Sequence, residues 1–185
     1  MNWFKNLFFG DKNPSNNKDR YGTEDRHILH VRDTLSFAKK QRNVLRQQHQ
    51  ERLGWEHQYG RLQVDELKKL TGIEFEEYLA GLYKNHGYRV EMTALTGDFG
   101  ADLILLKDQQ RIAVQAKCYT GSVGVSAVQE ALSGMAYYRC HSAWVVTTGN
   151  YTNNAIELAK QSKVRLIGHR ELGQLIMQSR NKSQQ

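Results

Sequence analysis

The sequence predicts an α/β fold in which helices flank a mixed β-sheet. Two observations carry this prediction, and both come from the chain after residue 70. Segments with apolar residues at three-to-four spacing indicate helices that bury one face, and short apolar runs bounded by turn residues indicate strands. These segments follow the order α-β-β-β-α-β-α-β-α, and strands that follow helices are typical of parallel crossovers. The globular part of the protein is therefore predicted to span residues 71–185.

The residues before this globular part are predicted to form two pieces. Residues 1–22 are rich in aromatic and polar side chains and are typical of a flexible segment. Residues 23–70 are predicted to form a basic helical extension. Its long helix is expected from about residue 24 to residue 53, with Gly54 just past its end, and a short helix is expected over 64–70.

Within the globular part, each element is predicted from its own pattern. The first helix opens at Gly72, and its apolar positions at helical spacing are Phe75, Tyr78, Leu79, Leu82 and Tyr83. Strands are predicted over 87–93, 143–146 and 164–167, and the other helices are predicted from about Val125, over 155–161 and over 170–178.

The second and third strands are predicted to form a hairpin. Residues 101–106 and 111–117 have the pattern of strands, and the polar residues 107–110 have the pattern of the turn that joins them. We place the centre of the turn between Asp108 and Gln109. A shift of one residue would turn either strand's polar side chains to the opposite face, so the position of the turn decides which side chains meet.

With this register, Asp102 lies opposite Gln115, and directly opposed residues have Cβ atoms about 5 Å apart. Because side chains alternate along a strand, Gln115 and Lys117 share one face, so three polar side chains are expected to converge. Mg²⁺ prefers oxygen ligands, which the Asp102 carboxylate, the Gln115 amide and the Ala116 carbonyl can supply. In the hydrolysis of a phosphodiester bond at such a metal site, Lys117 can orient the attacking water and offset the negative charge on the phosphate. The alternative is an ordinary surface hairpin whose polar residues line its solvated face.

Several ordered motifs resemble the Mrr-like catalytic domain of restriction endonucleases, within the PD-(D/E)xK nuclease superfamily. The resemblance extends from about Gly72 to the C-terminal helix and includes the Gln-x-Lys variant of the last motif. The motifs are Gly72-Ile-Glu-Phe-Glu-Glu-Tyr-Leu79, Thr96-Gly-Asp-Phe-Gly-Ala-Asp102, Val114-Gln-Ala-Lys117, Val123-Gly-Val-Ser-Ala-Val-Gln-Glu130 and Val145-Val-Thr-Thr-Gly-Asn-Tyr-Thr152.

This resemblance implies a restriction-endonuclease-like fold and a catalytic set. Glu76 would reach the metal or its water from the first helix, Asp102 would be the principal ligand, and Gln115 and Lys117 would complete the motif. Metal ligands would come from Asp102, Gln115, Ala116 and Glu76, with Mg²⁺ as the ion and Mn²⁺ as its substitute. The implied function is a metal-dependent endodeoxyribonuclease, associated with restriction or defence. The alternative is a nucleic-acid-binding module that keeps the nuclease fold without cleaving.

Other acidic and amide side chains have two interpretations. The resemblance makes Gln129 or Glu130 a weaker candidate for the edge of the site, although both residues also suit the solvated side of a helix. Glu76 sits in the first turn of its helix, where an acid is favourable without any metal. The stretch from Thr147 to Asn150 could bind a phosphate through backbone amides, but a cap for the next helix at Thr152 or Asn153 is the favoured interpretation.

The charge of the chain favours a polyanionic partner, and DNA is the partner expected. The formal net charge is +7, with 14 Lys and Arg against 9 Asp and Glu before residue 71 and 12 against 10 from residue 71 onward. Most of the excess positive charge therefore lies in the helical extension, which would attract phosphate backbones without reading sequence. The alternatives for this extension are a solvated helix surface, packing on the catalytic domain, or a contact that forms a homodimer.

Composition also argues against several classes of protein. No apolar run approaches the roughly 18 residues that cross a bilayer, so no stable membrane insertion is expected. No signal-peptide pattern stands near the N-terminus, and a cytoplasmic location is expected. The two cysteines, Cys118 and Cys140, form no CxxC pair, which argues against a disulfide framework or a zinc site.

Overall fold

The computed structural model describes residues 21–60, 62–93 and 99–183, with side chains described from residue 32 to residue 181 within these ranges. These described residues form six helices, namely α1 (Tyr21–Tyr59), α2 (Val64–Leu67), α3 (Gly72–Asn85), α4 (Val125–Tyr137), α5 (Asn153–Ser162) and α6 (His169–Ser183). They also form seven strands, namely β1 (Arg89–Met92), β2 (Leu103–Lys107), β3 (Gln110–Lys117), β4 (Ser122–Val123), β5 (Ser142–Thr147), β6 (Asn150–Tyr151) and β7 (Arg165–Ile167). The predicted segment 1–22 lies outside the described residues except for Tyr21 and Gly22, which begin α1.

Five strands form a mixed sheet in the order β1-β2-β3-β5-β7. The pairs β1–β2 and β2–β3 are antiparallel, whereas β3–β5 and β5–β7 are parallel. Strand β3 is therefore central, and the pairing changes direction there. The α/β class, the mixed sheet and the predicted order of its elements are confirmed. The pattern did not predict β4 and β6, which pair with each other in parallel and are two residues long, too short for a periodic signal.

Helices cover both faces of this sheet, and β3 contributes to both cores. Its Val114 and Ala116 are buried in a cluster with apolar residues of α3 and α6. Ala113 faces the other way, toward a small cluster that includes Met135 of α4. On this second face, α4 and α5 also pack over Val145 of β5. Because side chains alternate along β3, Gln115 and Lys117 belong to the face that α4 covers.

The chain divides into two compact units, Met1–His49 and Gln50–Gln185, and the division falls within α1. The second unit begins at Gln50 and contains the predicted globular part, residues 71–185. Residues before 71 also pack in this unit, since Tyr59, Val64 and Leu67 are buried in the core cluster that lies against α3.

Helix α1 continues past Gly54, its predicted end, to Tyr59. The indole nitrogen of Trp55 donates a hydrogen bond to the Tyr78 carbonyl over 3.2 Å, and the two rings lie 5.4 Å apart. A β-carbon added at Gly81 would overlap this indole, so the glycine makes room for it. The tertiary contacts of the last turn therefore extend the helix beyond its sequence stop signal.

Before this last turn, α1 is polar along most of its described surface. Its larger apolar side chains Leu35, Phe37 and Leu45 are 63%, 62% and 64% exposed. In the part of the chain that the structure describes, no helix combines the length and the apolar character needed to cross a membrane.

Candidate active site

The β2–β3 hairpin has the predicted turn and the predicted register. Lys107 pairs with Gln110, and Asp108 and Gln109 form the connection with φ values of 49° and 64°. Two successive residues with positive φ are typical of a type I′ turn, whose twist matches that of the flanking strands. Further along, Leu103 pairs with Val114, so the next positions in register are Asp102 and Gln115.

The Asp102 carboxylate accepts two hydrogen bonds across the hairpin. Its Oδ2 atom lies 2.6 Å from Gln115 Nε2 and 2.7 Å from the Ala116 backbone nitrogen. Gln115 Nε2 also lies 3.4 Å from the Ala116 carbonyl oxygen. Asp102, Gln115 and Ala116 are thus brought together as the sequence predicted.

Burial distinguishes this cluster from a solvated hairpin surface. Asp102 is 7% exposed and Gln115 is 4% exposed, so the alternative of a solvated polar face does not describe them. Burying a carboxylate is costly, and the two hydrogen bonds that Asp102 accepts offset part of that cost.

The segment that leads to Asp102 is fastened to α4. Phe99 stacks on Tyr137 with ring centroids 3.7 Å apart. A β-carbon on Gly134 would lie 2.6 Å from the Ala101 β-carbon, and one on Gly100 would overlap the Glu130 carbonyl oxygen. Because α4 approaches the segment this closely, the helix covers the face of the sheet on which Asp102 lies.

The backbone of Asp102 is held from both neighbouring strands. Its nitrogen donates to the Val114 carbonyl over 2.8 Å, and its carbonyl accepts from the Thr93 nitrogen over 3.0 Å. The Thr93 hydroxyl lies 2.7 Å from the Ala101 carbonyl and 3.1 Å from that of Asp102. Thr93 therefore fixes the carboxylate's attachment point, a role that the sequence analysis missed because it depends on pairing with the strand before it.

Lys117 is held at both its backbone and its side chain. The hydroxyl of the buried Thr147 donates to the Lys117 carbonyl over 2.7 Å. The Lys117 ammonium lies 2.6 Å from a carboxylate oxygen of Glu130. Between the two helix candidates for the edge of the site, the structure thus places Glu130 against the lysine, whereas Gln129 is exposed.

Glu76 lies on α3, half-buried, on a helix that packs against the opposite face of the sheet from Gln115. The start of α3 lies near the end of β3. Burial raises the pKa of the Cys118 thiol, which follows β3, and the Glu74 carboxylate at the start of α3 is close enough to add to that rise. Glu76 follows Glu74 by two residues and so belongs to the same end of the sheet as Lys117. Its assignment to the site stays a prediction.

The segment after β5 provides the N-cap of α5 rather than a set of free backbone amides that would bind a phosphate. Thr152 is the N-cap of α5, and its hydroxyl accepts from the Ala155 nitrogen over 3.2 Å. The Gly149 nitrogen donates to the Thr147 hydroxyl over 3.1 Å. The favoured interpretation is confirmed, and Thr147 serves the strand end that carries Lys117.

The donor set of the cluster fits a hard divalent cation. Asp102, Gln115 and Ala116 offer carboxylate, amide and carbonyl oxygens, the ligand types that Mg²⁺ takes. Gln115 Oε1 is buried without a hydrogen-bond partner among the described residues, so this oxygen is an unsatisfied acceptor that a cation could use. The described ranges contain no group of three or more His, Cys, Asp or Glu side chains that could hold a metal. A cation at this place would thus depend on neutral oxygens as well as carboxylate.

Two solved structures have a similar backbone fold at low sequence identity. One is a protein of unknown function, AF1548, at 14% identity and a TM-score of 0.47, covering 57% of this chain and 65% of that one. Another is the MspJI restriction endonuclease in complex with a 27-mer oligonucleotide, at 21% identity and a TM-score of 0.40, covering 74% of this chain and 33% of that one. This chain therefore spans less than two thirds of either. No curated protein matches the sequence.

A family model matches one continuous part of the sequence. The model is Mrr_cat, described as restriction endonuclease, and it matches residues 67–176. This range covers more than half of the chain and contains the whole hairpin, α4 and β5. The resemblance to Mrr-like restriction endonucleases is confirmed, and the chain belongs to the Mrr_cat restriction endonuclease family.

Proposed function

We propose that this protein is a metal-dependent endodeoxyribonuclease that hydrolyses phosphodiester bonds in DNA. The observation that carries the proposal is the convergence of the Asp102 carboxylate, the Gln115 amide and the Ala116 backbone beside the ion-paired Lys117. Membership in a restriction endonuclease family supports the same class of reaction. The net charge of +7 suits a phosphate backbone as partner.

In this proposal the side chains have separate roles. Asp102, Gln115 and the Ala116 carbonyl hold a cation, and Glu76 reaches it or its water from α3. Lys117 orients the attacking water and offsets the negative charge that grows on the phosphate. When bound, Mg²⁺, or Mn²⁺ in its place, supplies a Lewis acid for the phosphate and lowers the pKa of a coordinated water. Because Gln115 is neutral, we expect weaker cation binding than an additional carboxylate would give.

The test is cleavage of supercoiled plasmid, methylated and unmethylated, with Mg²⁺ or Mn²⁺. Wild type is expected to nick or linearise the plasmid only when a divalent cation is present. Asp102→Asn and Lys117→Ala are each expected to lower the rate by about 100-fold or more, the usual loss when a charge-stabilising group is removed. Asp108→Asn makes the same chemical change at the exposed turn of the same hairpin and is expected to keep the wild-type rate.

Two results would contradict this assignment. Metal-independent cleavage would remove the cation from the proposal. Equal rates for Asp102→Asn and Asp108→Asn would show that the buried carboxylate does not take part in the reaction.

A second candidate is a DNA-binding module that keeps the fold but does not cleave. The observation that favours it is the neutral Gln115 amide beside a single carboxylate, in described ranges without a larger cluster of acidic, His or Cys side chains. Salt-dependent binding to duplex, branched and single-stranded DNA, with no product in Mg²⁺ or Mn²⁺, would select this alternative.

The proposed cellular role is restriction or defence, in the cytoplasm. Cells that express the wild type are expected to accept unmodified phage or plasmid DNA less efficiently than cells that express Lys117→Ala. Equal efficiencies, with cleavage demonstrated for the purified protein, would point to another role, such as repair or recombination.

We also propose that α1 forms a homodimer. Its exposed side chains Leu35 and Leu45 support the proposal, since an apolar contact would cover them. Sedimentation of the full chain is expected to give a dimer, and Leu35→Asp with Leu45→Asp is expected to give a monomer. A wild-type monomer at micromolar concentration would refute it.

A further inference from the structure

Lys117 has a negatively charged partner at the edge of the candidate site. Its ammonium lies 2.6 Å from the Glu130 carboxylate, and the two side chains are 35% and 40% exposed. Ion pairs with this degree of exposure generally contribute little to folding stability. Stability alone therefore does not account for such a close pair next to Asp102 and Gln115.

Both members of the pair are attached to backbone that is fixed by other contacts. Lys117 ends β3, where the buried Thr147 hydroxyl holds its carbonyl over 2.7 Å. At Glu130, the carbonyl oxygen lies against Gly100, whose φ of +89° favours glycine and whose β-carbon would overlap that oxygen. One turn of α4 thus supports the segment that carries Asp102 and also presents a carboxylate to Lys117.

The position of the pair agrees with a role at the site. Lys117 and Gln115 lie on the face of β3 that α4 covers, and Glu130 approaches from that helix. Its carboxylate therefore holds the ammonium on the same side of the sheet as Asp102 and Gln115. A DNA phosphate that reaches this cluster brings a second anion, which competes with Glu130 for the lysine's hydrogen bonds.

We infer that Glu130 is a positioning residue for Lys117, holding the ammonium in place before DNA binds and giving it up to the scissile phosphate. The inference rests on the proposed nuclease function and extends it. Glu130 acts through the lysine and not on the substrate, and the exchange makes or breaks no covalent bond. Loss of the carboxylate has two opposite effects, since it leaves the lysine mobile but also removes a negative charge next to the incoming phosphate.

The first readout requires no cleavage. The full-length wild type, Glu130→Gln and Glu157→Gln are treated with a limiting amount of an amine-acetylating reagent, without metal or DNA. Mass spectrometry then compares acetylation of Lys117 with that of Lys40, which is exposed on α1. Glu157→Gln is the matched control because it makes the same change at an exposed helix position.

Glu130→Gln is expected to raise acetylation of Lys117 by about twofold to fivefold, the range that an exposed ion pair would protect. Acetylation of Lys40 is expected to stay the same in all three proteins. An unchanged rate at Lys117 in Glu130→Gln would overturn the inference.

The second readout separates positioning from a purely structural role. Glu130→Gln is expected to bind duplex DNA without metal at least as tightly as wild type and to keep the wild-type melting temperature. Its kcat on plasmid is expected to fall by about 10-fold to 100-fold, the effect of misplacing a reacting group. Glu130→Asp, which keeps the charge on a shorter side chain, is expected to recover part of the loss.

Opposite results identify which proposal fails. Weaker DNA binding together with a lower melting temperature would make Glu130 merely structural, and a wild-type kcat would make it dispensable; either result overturns the inference. If the wild type cleaves no substrate, the proposed function fails, and the acetylation and binding measurements still decide whether Glu130 holds Lys117.

Discussion

Placing an acid at position 115 tests the buried cluster most directly. Gln115 Nε2 donates to Asp102 Oδ2 over 2.6 Å, and both residues are less than a tenth exposed. Gln115→Glu replaces this donor by an acceptor of nearly the same shape, so two buried carboxylates face each other. Without a divalent cation, we expect the free energy of unfolding at pH 7.5 to fall by about 5–7 kcal/mol.

That magnitude has two parts. The lost hydrogen bond to a charged group contributes about 1.5–3 kcal/mol. Repulsion between two charges about 4 Å apart costs about 4 kcal/mol at an effective dielectric constant of 20. Uptake of one proton by the pair sets the upper limit, because the neutral form escapes the repulsion.

The loss of stability is expected to depend on pH. Two carboxyl groups in one buried site hold a shared proton more tightly than an exposed carboxyl does, so between about pH 4 and pH 7 the folded variant binds more protons than its unfolded chain. The stability of Gln115→Glu relative to wild type therefore falls as the pH rises through this range. Below about pH 4 both states are protonated, and the difference is expected to shrink.

The assay is urea unfolding followed by tryptophan fluorescence between pH 4 and pH 7.5, first without metal and then with Mg²⁺. Gln110→Glu is the matched control, since it makes the same change at the exposed start of β3. Mg²⁺ is expected to raise the melting temperature of Gln115→Glu more than that of wild type, because binding to the folded state stabilises it. Equal stability of the two variants at pH 7.5, or a difference that grows toward acid pH, would refute the reasoning.

Three further substitutions test the contacts that position the site, each measured by urea unfolding. Gly100→Ala is expected to lose more than about 2 kcal/mol, because it combines a positive φ with overlap against α4, whereas Gly72→Ala, which has open space at its β-carbon, is expected to be nearly neutral. Thr147→Val is expected to lose about 1–3 kcal/mol, because the carbonyl of Lys117 loses its hydroxyl donor. Trp55→Ala is expected to lose about 3–5 kcal/mol, because the indole fills the space over α3. A loss below about 0.5 kcal/mol in any of these three tests would contradict the contact described.

The parts of the fold that the sequence could predict depend on local patterns. The polar run around Asp108 and Gln109 located the hairpin turn, and strand alternation then brought Asp102 opposite Gln115. The spacing of apolar residues likewise predicted α3 and α4, because each buries a single face. The family resemblance reduced the possible functions to those of a nuclease fold, whereas the composition alone indicated only a polyanionic partner.

The parts that could not be predicted depend on partners distant in sequence. Gly54 is a reasonable helix stop, but the packing of Trp55 and Tyr59 against α3 continues α1 beyond it. The burial of Asp102 depends on α4 lying close over Gly100. The hydroxyl of Thr147 reaches the end of β3 only because β3 and β5 pair in parallel, and no feature of the threonine's neighbours reveals that.

The hairpin contacts also place most of the proposed site residues within one short stretch of the sequence. Asp102 meets Gln115 and Ala116 across the hairpin, and Lys117 meets Glu130 on the next helix. Residues 102–130 therefore carry the cluster and its ion pair, and of the proposed site only Glu76 on α3 lies outside them, so insertions elsewhere in the chain can change what surrounds these groups while they stay together. Variation among relatives is accordingly expected to concentrate outside residues 99–130 and the start of α3, where a new recognition element can be gained without changing the proposed site.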